Sequence, residues 1–268
     1  MLRLALRVRP EDAEVVLAEL LEIAPSGVEE VEGDGWVEYA VYGAPGELPS
    51  LPDLEATAGG ALVEVVTTEV DDDWAERWRE FHKPLVLEGL LRVRPPWEPK
   101  GEEAHDIVVD PGRAFGTGAH PTTSLCLGLL LGLEPRGSLL DLGCGSGVLA
   151  ILAARLGFAP VLAADNDLLA VEATAENALV NSVEMGVRRV DLRTDPVPEA
   201  ETLVANILAP VLVELAGRIG SHRPERVILS GILDDQADRV LSAWQPLGYH
   251  ETERVSNSGW TALGLTRP

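Results

Sequence analysis

The feature that most constrains the fold of this chain is a short apolar strand followed directly by a glycine-rich loop and a helix. The strand reads Ser-Leu-Leu-Asp-Leu over residues 138–142, and an apolar run typical of a buried helix starts at Val148. Between them lie Gly143, Gly145 and Gly147. Glycine lets a backbone approach a ligand closely and adopt conformations that a Cβ atom would forbid. Because open parallel sheets bind ligands beyond the carboxyl ends of their strands, we predict a ligand site at this loop.

The sequence on both sides of this unit alternates apolar strands with helices. The strands are predicted at 107–109, 138–142, 161–165, 202–206 and 226–231. The helices are predicted at 122–133, 148–156, 168–180, 209–219 and 234–244. Two further strands are expected after Gly248, joined at residues 256–259. This alternation predicts an α/β fold with a doubly wound, mostly parallel sheet that carries helices on both faces.

The N-terminal part of the chain follows a different pattern. Residues 2–9 alternate apolar and basic side chains, as a half-buried strand does, and Pro10 then opens an amphipathic helix. Segments 27–31 and 36–42 are predicted to form a hairpin, and one more strand covers 62–70. This order predicts a small α+β domain of the ferredoxin-like type, in which the second helix is short or missing.

The change of pattern divides the chain into three parts. We expect residues 1–70 to form a substrate-recognition domain and residues 100–268 to form the cofactor-binding catalytic domain. Residues 71–99 would be a helical linker and a connecting strand, since Trp74 and Trp78 lie four residues apart and so share one face of a helix.

The composition argues against several classes of partner. The chain has 21 basic and 44 acidic residues, and its formal net charge is −23. Such a negative field repels phosphate backbones, so we expect a basic protein partner and no direct contact with nucleic acid. Two cysteines are too few for a metal cluster or a disulfide framework, so no metal site is predicted. No run approaches the roughly 20 apolar residues that span a membrane, and we expect a monomer in the cytoplasm.

Two carboxylates beside the glycine loop narrow the choice of ligand. A dinucleotide fingerprint needs a further glycine where this chain has Val148, which disfavours an NAD-dependent oxidoreductase. Asp141, at the end of the strand, suits a cationic amino group. Asp165 ends the next strand, 22 residues after Gly143, at the right distance to accept hydrogen bonds from both hydroxyls of a ribose. We therefore predict S-adenosyl-L-methionine as the cofactor, with a structural turn that binds no ligand as the alternative.

A second glycine-rich segment, residues 110–123, precedes another predicted helix. Thr122 and Thr123 at the helix start predict an N-terminus with free backbone donors, which could hold a carboxylate such as that of a methionine moiety. The alternative is that one threonine only caps the helix, and both can be true. His120 lies in the same segment, where we expect it to fix the loop by hydrogen bonds rather than act as a base.

At the level of motifs the chain resembles the PrmA methyltransferases, which trimethylate amino groups of protein eleven of the large ribosomal subunit. The resemblance is carried by Asp-Pro-Gly-x-Ala-Phe-Gly-Thr-Gly-x-His-Pro-Thr-Thr at 110–123 and by Asp-Leu-Gly-Cys-Gly-Ser-Gly-Val-Leu-Ala-Ile at 141–151. It continues in residues 203–209 and 229–233. It implies a class I methyltransferase-type fold and an S-adenosylmethionine-dependent protein-lysine N-methyltransferase, whose partner is a basic ribosomal protein.

The resemblance also implies which residues contact the cofactor, namely Thr123, Gly143, Asp165 and Asn206. The family usually has Asp-x-Asp-Pro after the second strand, whereas this chain has Asp165-Asn-Asp167-Leu, so the carboxylate expected to hold the ribose is kept. The full set of predicted cofactor contacts is Phe115, Gly116, Thr117, Thr123, Asp141, Gly143, Gly145, Gly147, Asp165 and Asn206.

Asn206 bears on the methyl acceptor, because it ends the predicted fourth strand of the sheet, opposite the glycine loop. Methyltransferases of planar nitrogens typically carry Asn/Asp-Pro-Pro-aromatic at this place, whereas Asn206 is followed by Ile207, Leu208 and Ala209. The missing aromatic platform favours a tetrahedral amine, on a lysine side chain or an N-terminus, with Asn206 as the catalytic residue that positions it. The alternatives are an Asn206 that only stabilises the loop, and an enzyme that methylates a small-molecule amine. No general base is assigned.

Overall fold

The computed structural model describes residues 2–13, 16–17, 28–33, 35–43, 62–69, 83–110, 120–220 and 223–268. The chain divides into two compact units, Met1–Phe81 and His82–Pro268. Most of the predicted helical linker lies outside the described residues, so the proposed three-part division of the chain stays a prediction.

The first unit contains a four-stranded antiparallel sheet. Its strands are β1 (Leu2–Val8), β2 (Glu29–Gly33), β3 (Trp36–Gly43) and β4 (Leu62–Glu69). Their order in the sheet is β2-β3-β1-β4, so β1 pairs with both β3 and β4. This is the strand order of a ferredoxin-like sheet, as predicted. A short 3-10 turn at Pro10–Asp12 stands where the first helix was expected to open, and the place of the second helix lies outside the described residues.

Residue alternation explains which face of this sheet is buried. Leu4, Leu6 and Val8 point to the same side of β1 because successive side chains of a strand alternate. They pack in one cluster with apolar residues of β3 and of the segment after β1, namely Val37, Tyr39, Val41, Ala13 and Val16. The period-two pattern in the sequence therefore predicted the buried face correctly.

The second unit begins with a three-stranded sheet that the sequence did not predict. It consists of β5 (Leu85–Leu87), β6 (Leu91–Arg94) and β7 (His105–Val108), with β6 antiparallel to β5 and parallel to β7. The strand that we predicted at 107–109 within the main sheet belongs here instead. The reason is that β6 supplies its hydrogen-bonding partner, and Arg94 pairs with Asp106 at 2.9 Å across the two strands.

The main sheet of the second unit has seven strands. They are β8 (Leu139–Leu142), β9 (Val161–Asp165), β10 (Gly186–Arg189), β11 (Thr202–Asn206), β12 (Arg226–Leu233), β13 (His250–Asn257) and β14 (Trp260–Thr266). Their order is β10-β9-β8-β11-β12-β14-β13, and only the pairings of β14 are antiparallel. The predicted doubly wound, mostly parallel sheet is confirmed. The strand order reverses direction between β8 and β11, so the loops after β8, β9 and β11 meet at one edge.

In the described part of the second unit, five α-helices accompany this sheet close to their predicted positions. They are α1 (Pro121–Leu131), α2 (Val148–Leu156), α3 (Leu168–Val180), α4 (Ala209–Arg218) and α5 (Ala237–Trp244). One apolar core contains residues of α1 and α2, and a second contains residues of α4 and α5. Because both faces of the sheet are covered, all four residues of β8 are buried, which explains why three of them are leucine; the fourth is Asp141. Within the described residues, none of these helices has the length and apolar character needed to cross a membrane.

Candidate active site

The glycine loop that follows β8 requires glycine at three positions. Gly143, Gly145 and Gly147 have φ values of 76°, 52° and 80°, in the left-handed region that side chains disfavour. A Cβ atom at Gly143 would meet the side chain of Ile207, and one at Gly147 would lie 2.7 Å from Cγ2 of Thr174. The backbone of the loop therefore stays bare on the edge where β8, β9 and β11 end.

Asp165, at the end of β9, is joined to this loop by a hydrogen bond. Its Oδ2 accepts from the backbone N–H of Gly145 at 3.0 Å, and its Oδ1 accepts from the N–H of Asp167 at 3.1 Å. A carboxylate oxygen can accept a second hydrogen bond, so both atoms retain capacity for ribose hydroxyls. The structure thus brings together two of the predicted cofactor contacts, the glycine loop and Asp165.

Asp141 lies beneath the loop and is fully buried. Its Oδ2 accepts from the N–H of Ala150 in the first turn of α2 at 3.1 Å, and its Oδ1 has no hydrogen-bond partner among the described residues. Burial raises the pKa of Asp141 to about 7; the Ala150 hydrogen bond opposes this shift, and the charge of Asp165 adds to it. The side chain anchors α2 to β8, and its direct contact with a cofactor amino group stays a prediction.

The second glycine-rich segment is only partly described, and Phe115, Gly116 and Thr117 lie outside the described residues. At its end, α1 is capped by His120 rather than by a threonine, since Nδ1 of His120 accepts from the N–H of Thr122 at 3.4 Å. The N–H groups of Thr123 and Ser124 donate to the carbonyl of His120. The backbone donors that we expected to be free are therefore engaged. The physical reason is Pro121, which has no N–H and takes the first helical position, so the cap lies at His120, two residues before Thr122.

The ring of His120 is held on both sides. Its Nδ1 lies 2.8 Å from Oγ1 of Thr122, and its ring meets that of Trp260 edge to face, with centroids 5.2 Å apart. Burial lowers the pKa of His120, which favours the neutral ring that can accept at Nδ1. This arrangement is the loop-fixing hydrogen-bonding role that the sequence suggested.

Asn206 ends β11 beside the glycine loop rather than opposite it, because β11 pairs directly with β8. Its Nδ2 donates to Oγ1 of the buried Thr123 at 3.2 Å. Two predicted contacts that are 83 residues apart in the sequence are thus neighbours in space. Because the amide N–H is used by Thr123, Oδ1 of Asn206 is oriented as a hydrogen-bond acceptor.

The comparisons with known proteins identify the family. The family model named PrmA, described as ribosomal protein L11 methyltransferase, matches residues 52–268. The chain belongs to the PrmA family. As a family member, it is a methyltransferase that uses S-adenosylmethionine as its methyl donor, and its sheet is of the class I methyltransferase type.

Individual PrmA relatives agree with this assignment. A ribosomal protein L11 methyltransferase of Heliobacterium modesticaldum is 40% identical over 204 residues, and the match covers 74% of this chain and 65% of that protein. The Pseudomonas aeruginosa protein of the same name is 40% identical over 227 residues, with 82% and 77% covered. The crystal structure of ribosomal protein L11 methylase from Lactobacillus delbrueckii subsp. bulgaricus superposes with a TM-score of 0.62 at 30% identity. That match covers 69% of this chain and 98% of the other.

Sequence reasoning missed two features of this PrmA site. The first is Gly231, at a bulge in β12 with a φ of 81°, where a Cβ atom would lie 2.8 Å from the carbonyl carbon of Ile207. Ile207 also donates its N–H to the carbonyl of Ser230 at 3.1 Å, which fixes the chain just after Asn206. A glycine inside an apolar strand pattern was the available signal, because it often marks a bulge or a close backbone approach. The second is a row of buried polar residues, Thr174, Asn177 and Asn181, on α3 and at its C-terminal cap.

Proposed function

We propose that this PrmA family member methylates amino groups of ribosomal protein L11, on lysine side chains, on the N-terminus or on both. The family match over residues 52–268 supports L11 as the substrate, since relatives at 36–42% identity are named ribosomal protein L11 methyltransferase. The geometry that carries the acceptor chemistry is the Asn206–Thr123 pair at the edge where the glycine loop lies. Oδ1 of Asn206 is an oriented acceptor for an N–H donor, and none of the three residues after Asn206 is an aromatic residue that could hold a planar base.

We propose that the cofactor lies along the glycine loop, with its ribose on Asp165. The bare backbone at Gly143 and Gly145 and the spare lone pairs of Asp165 fit a nucleoside in this place. Segment 110–123 would contribute its Phe-Gly-Thr residues to the same ligand. When bound, S-adenosylmethionine supplies a methyl group on a positively charged sulfur. A cationic ligand above buried Asp141 would favour the ionised form of this carboxyl, whose pKa burial raises to about 7.

The chain's own part in catalysis is to position the acceptor amine. A lysine ammonium has a pKa of about 10.4 and must lose a proton before its lone pair can attack. Burial next to a positive charge lowers that pKa, and solvent can take the proton. Oδ1 of Asn206 then accepts a hydrogen bond from the neutral amine, which orients the lone pair away from Asn206. Holding the two reactants in line is the main contribution, so no general base is assigned.

We further propose a monomer in the cytoplasm that contacts the substrate protein and no nucleic acid. The net charge of −23 supports a basic protein as partner. Residues 1–70 would recognise that partner, and their sheet presents exposed Glu29 and Glu30 on the edge strand β2. An acidic edge suits a basic surface and also discourages strand pairing with other chains.

The proposal is tested by transfer of labelled methyl groups from S-adenosylmethionine to purified L11. We expect incorporation into L11 and none into L11 whose amines have been acetylated beforehand, because acetylation removes the acceptor lone pair. A small amine such as free lysine serves as the competing substrate. Transfer to the small amine with none to L11 would overturn the protein substrate and favour the small-molecule alternative.

A further inference from the structure

Two polar side chains of α3, and a third at the residue that caps its C-terminus, are buried on one side of that helix. Thr174, Asn177 and Asn181 have relative exposures of 0%, 6% and 5%, and their spacing of three and then four residues places them in one row. Asparagine is a poor helix former, and a buried amide destabilises a fold unless it is hydrogen-bonded. The contacts of this row therefore explain why the residues are polar.

The first contacts of the row are with the glycine loop. Oγ1 of Thr174 donates to the carbonyl of Gly145 at 2.9 Å, and Nδ2 of Asn177 donates to the carbonyl of Ser146 at 2.9 Å. The N–H of Gly145 is held by Asp165 on its other side. Consecutive peptide groups of the loop are thus fixed by side chains of one helix and one strand end.

Other contacts of the row reach the end of β7. Asn181 forms two hydrogen bonds with the backbone of Val108, accepting from its N–H at 2.9 Å and donating to its carbonyl at 2.7 Å. Oδ1 of Asn177 lies 3.5 Å from the N–H of Asp110, the first residue of segment 110–123. These bonds join residues 67 to 73 positions apart in the sequence.

We infer that Asn177 and Asn181 are positioning residues that hold the glycine loop and the start of segment 110–123 in one arrangement before the cofactor binds. The amide of Asn177 is central, because its two ends reach the two segments. A binding site that is already ordered avoids the entropic cost of ordering it on binding. This inference rests on the proposed placement of the cofactor against both segments.

A purely structural role for the row predicts a different outcome from a positioning role. If the amides only dock α3 on the sheet, their loss destabilises the folded protein and leaves the cofactor affinity of the folded molecules unchanged. If they position the loops, their loss weakens cofactor binding in protein that is still fully folded. The two roles are therefore separated by measuring affinity well below the melting temperature.

The test compares Asn177→Leu and Asn181→Leu with a matched control, Tyr249→Phe. Tyr249 is buried and its hydroxyl donates to the carbonyl of Pro224 at 2.7 Å, before the amino end of β12 and away from the loops. All three variants lose buried hydrogen bonds, so each should lower Tm. We expect the Kd of S-adenosylhomocysteine by calorimetry to rise about tenfold or more in Asn177→Leu and to stay at the wild-type value in Tyr249→Phe.

Kinetics supply a second readout. The KM for S-adenosylmethionine should rise in Asn177→Leu with the Kd, while kcat at saturating cofactor stays close to wild type, because the reacting groups are untouched. A wild-type Kd and KM in a folded Asn177→Leu variant would overturn the inference. Should the leucine variant fail to fold, Asn177→Ser provides the same comparison, since serine is too short to reach both segments.

The failure of this inference is distinguishable from the failure of the cofactor placement. Asp165→Ala serves that purpose, because it removes the carboxylate proposed to hold the ribose. If Asp165→Ala weakens binding and Asn177→Leu does not, the placement stands and the inference about α3 is wrong. If neither variant changes the Kd, the cofactor lies elsewhere and both are wrong.

Discussion

Replacing Gly231 by alanine should lower methyl transfer more than the accompanying loss of stability explains. The residue sits in a bulge of β12 with a φ of 81°, and a Cβ atom there would lie 2.8 Å from the carbonyl carbon and 3.1 Å from the nitrogen of Ile207. A backbone group cannot rotate out of the way as a side chain can. The chain after Asn206 must therefore shift, and the oriented amide of Asn206 shifts with it.

The magnitude follows from two contributions. Left-handed backbone in a residue with a Cβ atom costs roughly 1–2 kcal/mol, and overpacking a tight contact costs about 1–3 kcal/mol more. We therefore expect Gly231→Ala to lose about 2–5 kcal/mol of the free energy of unfolding. Gly259→Ala is the matched control, because Gly259 has the same φ of 81° and, chain neighbours aside, no atom of the described residues lies within 4 Å of its Cβ position. The free energy of unfolding of Gly259→Ala should fall only by the roughly 1–2 kcal/mol that left-handed backbone costs.

Urea unfolding of both variants measures the two free energies, and initial rates at saturating cofactor and substrate measure kcat. We expect kcat of Gly231→Ala to fall about tenfold or more, as when an oriented hydrogen bond to the acceptor is lost, while Gly259→Ala retains wild-type kcat. Equal losses of stability in the two variants, together with equal kcat, would refute the close contact between β12 and the chain that follows Asn206.

Three further predictions concern the carboxylates and the amide of the site. Asp165→Ala should raise the Kd of S-adenosylhomocysteine about 10- to 100-fold, whereas Asp167→Asn, which keeps a helix cap, should leave it unchanged. Asn206→Ala should lower kcat about tenfold, and Thr123→Val should give a smaller decrease because Asn206 remains. Burial raises the pKa of Asp141 from 3.8 to about 7, so the folded state holds an extra proton between these values and stability falls as pH rises through that window. Asp141→Asn should therefore gain stability relative to wild type from about pH 4 to about pH 7 and show a constant difference above it.

Each of these predictions has an outcome that contradicts it. An unchanged Kd in Asp165→Ala would show that the ribose is held elsewhere. An unchanged kcat in Asn206→Ala would show that the amide has only a structural role and does not position the acceptor amine. For Asp141, urea unfolding at each pH measures the free energy of unfolding of wild type and Asp141→Asn. If the two free energies change in parallel between pH 4 and 7, the buried carboxyl titrates at its ordinary pKa.

We also predict that the acidic edge of β2 takes part in substrate recognition. Glu30→Lys reverses an exposed charge there, so the KM for L11 should rise at low salt while the KM for S-adenosylmethionine stays the same. The effect should shrink as salt is added, because exposed charges are screened. Identical L11 kinetics for Glu30→Lys and wild type at low salt would exclude this edge from the substrate interface.

The parts of the fold that the sequence predicted are those set by local pattern. The strand at 139–142 is buried on both faces and has leucine at three of its four positions. α2 begins directly after Gly147, and α3 begins soon after Asp165 ends β9. Because local sequence signals mark where each strand ends, the sequence alone places the glycine loop and Asp165 at one edge of the sheet.

The parts that the sequence did not predict depend on partners far away in the chain. β10 reads Gly-Val-Arg-Arg and lies exposed at the edge of the sheet, so it carries no apolar signal. β7 lies outside the main sheet because its backbone pairs with β6 instead. The cap of α1 moved to His120 because of Pro121, and the contact of Asn177 with two loops exists only once the helix has packed.

The claim on which the whole account depends is that the glycine loop and Asp165 bind an adenosyl ligand. Calorimetric titration of the wild-type protein with S-adenosylhomocysteine, and separately with NAD, tests it most directly. We expect one molecule of S-adenosylhomocysteine to bind per chain and NAD to give no binding heat, since Val148 stands where a dinucleotide site needs glycine. Binding of NAD alone, or of neither ligand, would contradict the account.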